Sequence, residues 1–342
     1  MTNGGRGKGT RGRESGTRSL DPSIPRSLPL GITVGDPAGI GPEIILKALE
    51  RMPRVRPRII GPRDVFEREQ KRLHTEVDLN LVDDSVESPG RYEYGKPQAR
   101  CGSTALLALE MGVYRLLKGD ISALVTAPVS KEALRMAGFR WPGQTEFLAE
   151  RLGSKRHAML AWTPKFKVVF VTIHEPLARV SRHITAAAVA EKAGLLDRWL
   201  RDTGVKRPRI CVMAFNPHGA EFSLGEEERI AAGVARAHKA GINADGPVPA
   251  DAAVASVSIT RSLDPSIPRS LLFDGYVAMY HDQAMIPAKL LGRDQGVNLT
   301  LGLGHIRTSP LHGVAFDIAG KGVASPGSML AAIRLAQRLG RR

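Results

Sequence analysis

The sequence predicts an α/β protein built on a largely parallel sheet with helices on both faces. Two observations carry this. Short apolar runs of strand length alternate with amphipathic segments of helical period from about residue 30 to the end. Alternation of that kind sets successive strands side by side through helical crossovers. The composition agrees, because 42% hydrophobic and 24% charged residues are ordinary for a globular chain. A length of 342 residues allows one large domain or two ordinary ones.

In chain order, "LGITVG" reads as a buried strand, and "GPEIILKALERM" as a helix with Pro42 in its first turn. "RPRIIGP" is a second strand and "DVFEREQKRL" a second helix. The long amphipathic "STALLALEMGVYRLLKG" leads into the strand "ISALVTAPV". Then follow the helix "TEFLAERL", the strand "FKVVFVTIHEPL", the helix "TAAAVAEKAGLLDRWL", the strand "RPRICVMAFNPHG" and the helix "EEERIAAGVARAHKAG". The strands "FDGYVAMYHDQ" and "GVNLTLGL" and a final helix, "GSMLAAIRLAQRL", complete the chain.

Residues 1–29 are rich in Gly, Arg and Ser and lack a hydrophobic period, which predicts a disordered basic tail. The string "TRSLDPSIPRSL" occurs twice, at 17–28 and at 260–271. Two units cannot build a solenoid. The second copy is expected to be an inserted surface loop, because lengthening such a loop costs little entropy. No apolar run is long enough to span a bilayer, and no signal-type segment opens the chain, so a cytoplasmic protein is expected. Cys101 and Cys211 have no C-x-x-C spacing and read as buried thiols. The net charge of +15 favours an anionic partner. Aromatic residues are only 5% and interleave with no basic segment, so neither a nucleic-acid platform nor a membrane surface is expected.

In α/β sheets ligands bind beyond the carboxyl ends of strands. Three predicted strands finish there on a histidine: His174, His218 and His281. Three imidazoles converging at one sheet edge suit a divalent metal. Each alone also fits a strand-end histidine satisfied by backbone. His74, His157, His183, His238, His305 and His312 lack that placement and read as ordinary surface or helix histidines. The Gly/Pro-rich turn "GDPAGIGPE" before a helix offers backbone N–H groups to an anion, or is a tight turn needing glycine. Thr145, after Gln144, stands at a helix start, where its hydroxyl caps the helix or holds a substrate oxygen. Lys289, Asn298 and Arg307 fall in predicted loops; Arg307 suits a carboxylate or phosphate, and Lys289 a charge clamp or proton carrier.

The segments "GITVGDPAGIGPE", "VTAPVSKEAL", "TIHEPL", "NPHGAE", "GPVPAD", "AMYHDQ", "GVNLTLGL" and "IRTSPLHG", in that order, resemble the 4-hydroxythreonine-4-phosphate dehydrogenase family of vitamin B6 biosynthesis. The resemblance implies an isocitrate/isopropylmalate dehydrogenase-like fold of two α/β/α domains around a central cleft. It implies a first domain from 30–135 and 305–342. The second, from 136–304, would carry the metal histidines and the dimer interface, with the inserted loop near 256–272. It further implies NAD or NADP, a divalent metal (zinc, magnesium or cobalt), a small phosphorylated amino-acid substrate, and a homodimer with shared active sites. The family's metal ligands fall on His174, His218 and a partner-chain His281. Its substrate contacts fall on Thr145, Lys289, Asn298 and Arg307, with Lys289 as base or only as substrate contact. The implied reaction oxidises 4-phosphooxy-L-threonine to a 3-oxo acid that decarboxylates. One position departs: Gln144 stands where the family usually has His, so a paralogous enzyme acting on 4-phosphorylated threonate or erythronate stays open. A phosphate acyltransferase of related fold and a non-enzymatic basic binding protein are the other readings.

Overall fold

The computed structural model describes Met1, residues 28–258 and residues 272–340. The first copy of the repeat (up to residue 27), the second copy and the inserted-loop reading lie outside the described residues. Leu28 and Pro29, expected to belong to the tail, are already held, since Ser122 donates its hydroxyl to the Leu28 carbonyl at 3.1 Å and its amide to Pro29 at 2.9 Å.

One 11-stranded sheet runs through the chain in the order β3-β2-β1-β4-β11-β10-β5-β6-β9-β7-β8. Its strands are β1 (Leu30–Thr33), β2 (Arg58–Ile60), β3 (Val82–Asp83), β4 (Ala123–Thr126), β5 (Ala158–Trp162), β6 (Lys167–Phe170), β7 (Ile210–Met213), β8 (Ala244–Val248), β9 (Gly275–Ala278), β10 (Val297–Leu301) and β11 (Arg307–Pro310). The sheet is not simply parallel. β3, β2, β1, β4 and β11 run together. β6, β9, β7 and β8 form a second parallel block. Antiparallel pairing of β11 with β10, β10 with β5, and β5 with β6 joins the blocks and reverses their direction. The first block is drawn from residues before 135 and after 305, and β10, β5 and the second block from residues between.

Eleven α-helices are described: α1 (Gly41–Glu50), α2 (Arg63–Leu73), α3 (Ala99–Lys118), α4 (Lys131–Met136), α5 (Gln144–Arg151), α6 (Leu177–His183), α7 (Ala186–Asp202), α8 (Glu226–Lys239), α9 (Ala250–Ser258), α10 (His281–Gly292) and α11 (Gly327–Gly340). Period-2 alternation in the strands feeds both faces. Val168 and Phe170 point into one core with Met285 and Ala288 of α10, while Val169 and Val277 join the larger core with Leu196 of α7. Both cysteines are free and buried. Among the described residues no helix is long and apolar enough to cross a membrane.

A buried ionic knot closes the chain's end onto its beginning. Glu43 of α1, 1% exposed, accepts from Lys47, Arg72 and the Ala324 amide. Lys47 and Arg72 also donate to the carbonyls of Gly322, Ala324 and Gly320. Every charge there has several partners, as burial of ions requires.

Candidate active site

β6, β9 and β7 are neighbours and parallel, so the loops that follow them leave the sheet at one edge. Those loops carry the three histidines. The strands stop earlier than expected: β6 ends at Phe170 and β7 at Met213, and His281 opens α10 instead of closing a strand. Hydrogen bonds tie the loops together. Thr172 donates its hydroxyl to the Met279 carbonyl at 2.8 Å. Gln283 accepts from the Met279 amide at 2.7 Å and donates to the Ala214 carbonyl at 2.6 Å, bridging the loops of His281 and His218. His218 itself sits at φ 55°, directly before Gly219 at φ 69°.

The His174 and His281 rings lie 6.3 Å apart, and His281 Nδ1 is 2.6 Å from Asp282. His218 is exposed and packs its ring near Phe222 at 5.9 Å. Burial, the Lys131 charge and His281 lower the His174 pKa, with Glu146 opposing, which favours the neutral imidazole that a metal takes. Among the described residues of one chain, no group of three or more His, Cys, Asp or Glu stands close enough to hold a metal ion. The three histidines therefore share an edge without forming a closed metal site within one chain.

Glu227 at the start of α8 anchors the His218 loop. It accepts from the amides of Phe215 (2.9 Å) and Asn216 (2.8 Å) and from the Asn216 side chain (2.8 Å). Burial alone would raise its pKa; the Asn216 amide and side chain, Ser223 and the Phe215 amide overcome that and hold it below the usual carboxylate range. A depressed folded pKa stabilises above the unfolded value of about 4.3 and loses that contribution as pH falls through the folded value. Glu227→Gln should lose about 1–3 kcal/mol of stability at neutral pH. Its urea midpoint should also fall less steeply than that of the parent below about pH 4.3.

The second half of the site is a cavity of about 190 Å³, lined by Gln144, Thr145, His174, Asn298 and Arg307 among others. Five of the eight residues singled out in the sequence thus meet in one place. Their local settings differ from the predicted loops. Arg307 opens β11 and Lys289 lies in α10, while Asn298 lies within β10, the strand expected from "GVNLTLGL". Thr145 is the second residue of α5; the cap position is Gly143, and no side chain caps it. Lys289 is exposed and outside the wall; its charge helps lower the pKa of His312, which is in the wall.

Arg307 dominates the cavity. It is 2% exposed, and it donates to Thr126 (2.7 Å), Gln144 (3.0 Å) and Thr300 (3.3 Å). Burial pushes its pKa down to about 10, with Glu146 opposing. None of the described carboxylates forms an ion pair with it. A buried cation held only by neutral acceptors is costly until an anion arrives. Four buried polar atoms of the wall also have no hydrogen-bond partner: Arg307 Nε, Asn298 Oδ1, Glu146 Oε2 and His312 Nε2. Orphans of that kind are rare in a finished core, and together they describe a socket for a polar ligand.

Sequence reasoning passed over Lys131, Glu146, Ser309 and His312, which share this wall. His312 is corrected from an ordinary surface or helix histidine: it is half-buried, donates from Nδ1 to the Gly313 carbonyl at 3.0 Å, and burial lowers its pKa. Its position five residues beyond Arg307 in "IRTSPLHG" was the available signal. Of the two readings of the "GDPAGIGPE" turn, the tight turn needing glycine is the one the hydrogen bonds favour. The amides of Asp36, Ala38, Gly39 and Ile40 bond to Pro128, the Asp36 side chain, the Asp36 carbonyl and Val314, so these four are already taken by the turn. Gly35 at φ 74° serves the tight turn.

With the fold and this cavity in view, the sequence profile of the "Pyridoxal phosphate biosynthetic protein PdxA" family matches residues 40–336. The chain belongs to the PdxA family. Among relatives, the 4-hydroxythreonine-4-phosphate dehydrogenase of Erythrobacter litoralis is 38% identical, covering 90% of this chain and 95% of that one. The D-threonate 4-phosphate dehydrogenase of Salmonella typhimurium is 37% identical, covering 91% and 98%. The crystal structure of the 4-hydroxythreonine-4-phosphate dehydrogenase of Klebsiella pneumoniae superposes with a TM-score of 0.77 at 34% identity, covering 92% of this chain and 100% of that one. These relatives are dehydrogenases, and this PdxA-family chain is an oxidoreductase of that type.

Proposed function

We propose that the chain uses NAD or NADP to oxidise 4-phosphooxy-L-threonine to 2-amino-3-oxo-4-phosphooxybutanoate. That β-keto acid loses CO₂ to give 3-amino-2-oxopropyl phosphate, in cytoplasmic pyridoxal phosphate biosynthesis. The observation that carries the reading is Arg307: a buried guanidinium without an ionic partner among the described residues, facing a cavity of metabolite size.

Arg307 takes an anionic group of the substrate, with Thr145 and Asn298 hydrogen-bonding around it. Gln144 keeps the guanidinium oriented through its 3.0 Å bond. His174 and His218, with the partner subunit's His281, would hold a divalent cation, which would lower the pKa of the substrate hydroxyl. The neutral His174 imidazole suits that role. Lys289 serves as base for the hydroxyl proton or as a further substrate contact. NAD or NADP, when bound, would supply the acceptor for the hydride of the carbinol carbon.

A homodimer with shared sites supplies the missing donor. Exposed apolar side chains accompany each histidine: Leu177 three residues after His174, Phe222 and Leu224 after His218, and Ile286 and Leu290 one turn apart on the helix of His281. A second copy covering these residues buries apolar area beside the histidines and brings its own His281 in. Residues 30–135 with 305–342, and residues 136–304, are read as two domains meeting along the β10–β11 pair beside the cavity.

A second reading, oxidation of 4-phosphothreonate, is favoured by Gln144 replacing the family's usual His and by the comparable identity of the D-threonate 4-phosphate dehydrogenase. Steady-state assays with both compounds, with and without chelator, decide between them. The proposal expects the higher kcat/KM with 4-phosphooxy-L-threonine and loss of turnover on chelation. A higher kcat/KM for 4-phosphothreonate, or full activity in chelator, contradicts it.

A further inference from the structure

We propose that Glu146 determines substrate choice by pairing with the 2-ammonium group of a phosphorylated amino acid, so that the cavity rejects the corresponding 2-hydroxy acid. The inference deepens the reading above and rests on it for the identity of the substrate.

The cavity wall holds groups of both signs, Arg307 and Lys131 against Glu146, and no ion pair joins Glu146 to either cation among the described residues. Arg307 and Glu146 both line it, yet among the described residues neither makes an ion pair. Gln144 explains the separation. Its side-chain oxygen receives the Arg307 hydrogen bond at 3.0 Å that a carboxylate would otherwise attract. Glu146 Oε2 is left buried and without a partner. A buried carboxylate oxygen without a donor is costly, and a charge-assisted N–H from a ligand satisfies it.

A ligand that completes this wall carries an anion for Arg307 and a cation for Glu146. A phosphorylated hydroxy-amino acid has both. Its 2-hydroxy counterpart has the anionic groups but offers Glu146 only a neutral hydroxyl. The two chemistries named among the relatives differ at this group, so Glu146 bears directly on which one the chain performs.

Glu146 is also the third residue of α5, where a carboxylate favours the helix N-terminus. That role would affect every ligand alike, which separates it from substrate reading. The test is isothermal titration of full-length wild type, Glu146→Gln and Glu146→Asp. The titrants are 4-phosphooxy-L-threonine and its analogue of the same configuration with a hydroxyl in place of the amino group. Thermal melts confirm that each variant is folded. The proposal expects wild type to bind the amino compound about 10- to 100-fold more tightly than the hydroxy compound. In Glu146→Gln the preference should vanish while hydroxy-compound affinity stays about the same; Glu146→Asp should retain part of it. No preference in wild type, or an equal loss for both compounds in Glu146→Gln, overturns the proposal. Turnover is measured in parallel. Discrimination without hydride transfer sinks the proposed reaction and leaves this inference standing; turnover of the amino compound without discrimination does the reverse.

Discussion

Arg307→Met lowers kcat/KM by about 100- to 1,000-fold, the scale of removing a buried charged contact of about 3–4 kcal/mol. It should do so without unfolding the protein. The guanidinium is 2% exposed and, among the described residues, held only by Thr126, Gln144 and Thr300. Methionine fills similar space without desolvating a charge, so the melting temperature should stay the same or rise. The pairing of lost activity with kept or gained stability identifies a group held for a ligand. A fall in stability matching the fall in activity would make Arg307 a structural residue of β11, and the anion site would have to lie elsewhere.

Single replacements of His174, His218 or His281 by alanine should each abolish turnover, about 1,000-fold or more for loss of a metal donor with the water- or hydroxyl-activating chemistry it supports. The informative result comes from mixing. The described residues of one chain close no three-donor site. If the partner subunit's His281 completes it, a hybrid of His174→Ala and His281→Ala chains regains one intact site from two inactive parents. Recovery on refolding the two together, measured as turnover per hybrid dimer, checks this. Hybrids that form and stay inactive would place all the donors within one chain.

Much of the fold was legible because β1, β2, β4, β6, β7 and β9 are short apolar runs set off by amphipathic segments. The unread strands have physical reasons. β11 is "RTSP", with no apolar residue in its four, and it is a strand because β4 and β10 pair with it on both sides. β8 contains Gly246 and Pro247, both normally strand breakers. α10 carries Pro287 in its interior, which disguised its period and left Lys289 looking like a loop residue. The reversal of direction between the two strand blocks depends on tertiary pairing and has no local mark.

The site divided in the same way. His174, His218 and His281 were readable because they follow strands that prove to be neighbours. Their order β6-β9-β7, which lays the His281 loop between the other two, was not. Arg307 was readable as a lone basic residue, whereas its burial without a carboxylate partner is a property of the packed sheet. Glu146 and His312 were quoted inside motifs and still passed over, because their unpaired atoms exist only once α5 and the loop after β11 close the cavity.

Hydride transfer itself is the most direct measurement. 4-Phosphooxy-L-threonine deuterated at the carbinol carbon is incubated with the protein, NAD or NADP, and a divalent metal, and the reduced nicotinamide is analysed by mass spectrometry. One deuterium is expected in the nicotinamide, with release of CO₂ and 3-amino-2-oxopropyl phosphate. Unlabelled or unreduced nicotinamide from folded, metal-supplied protein, with label transferred instead from 4-phosphothreonate, would contradict it.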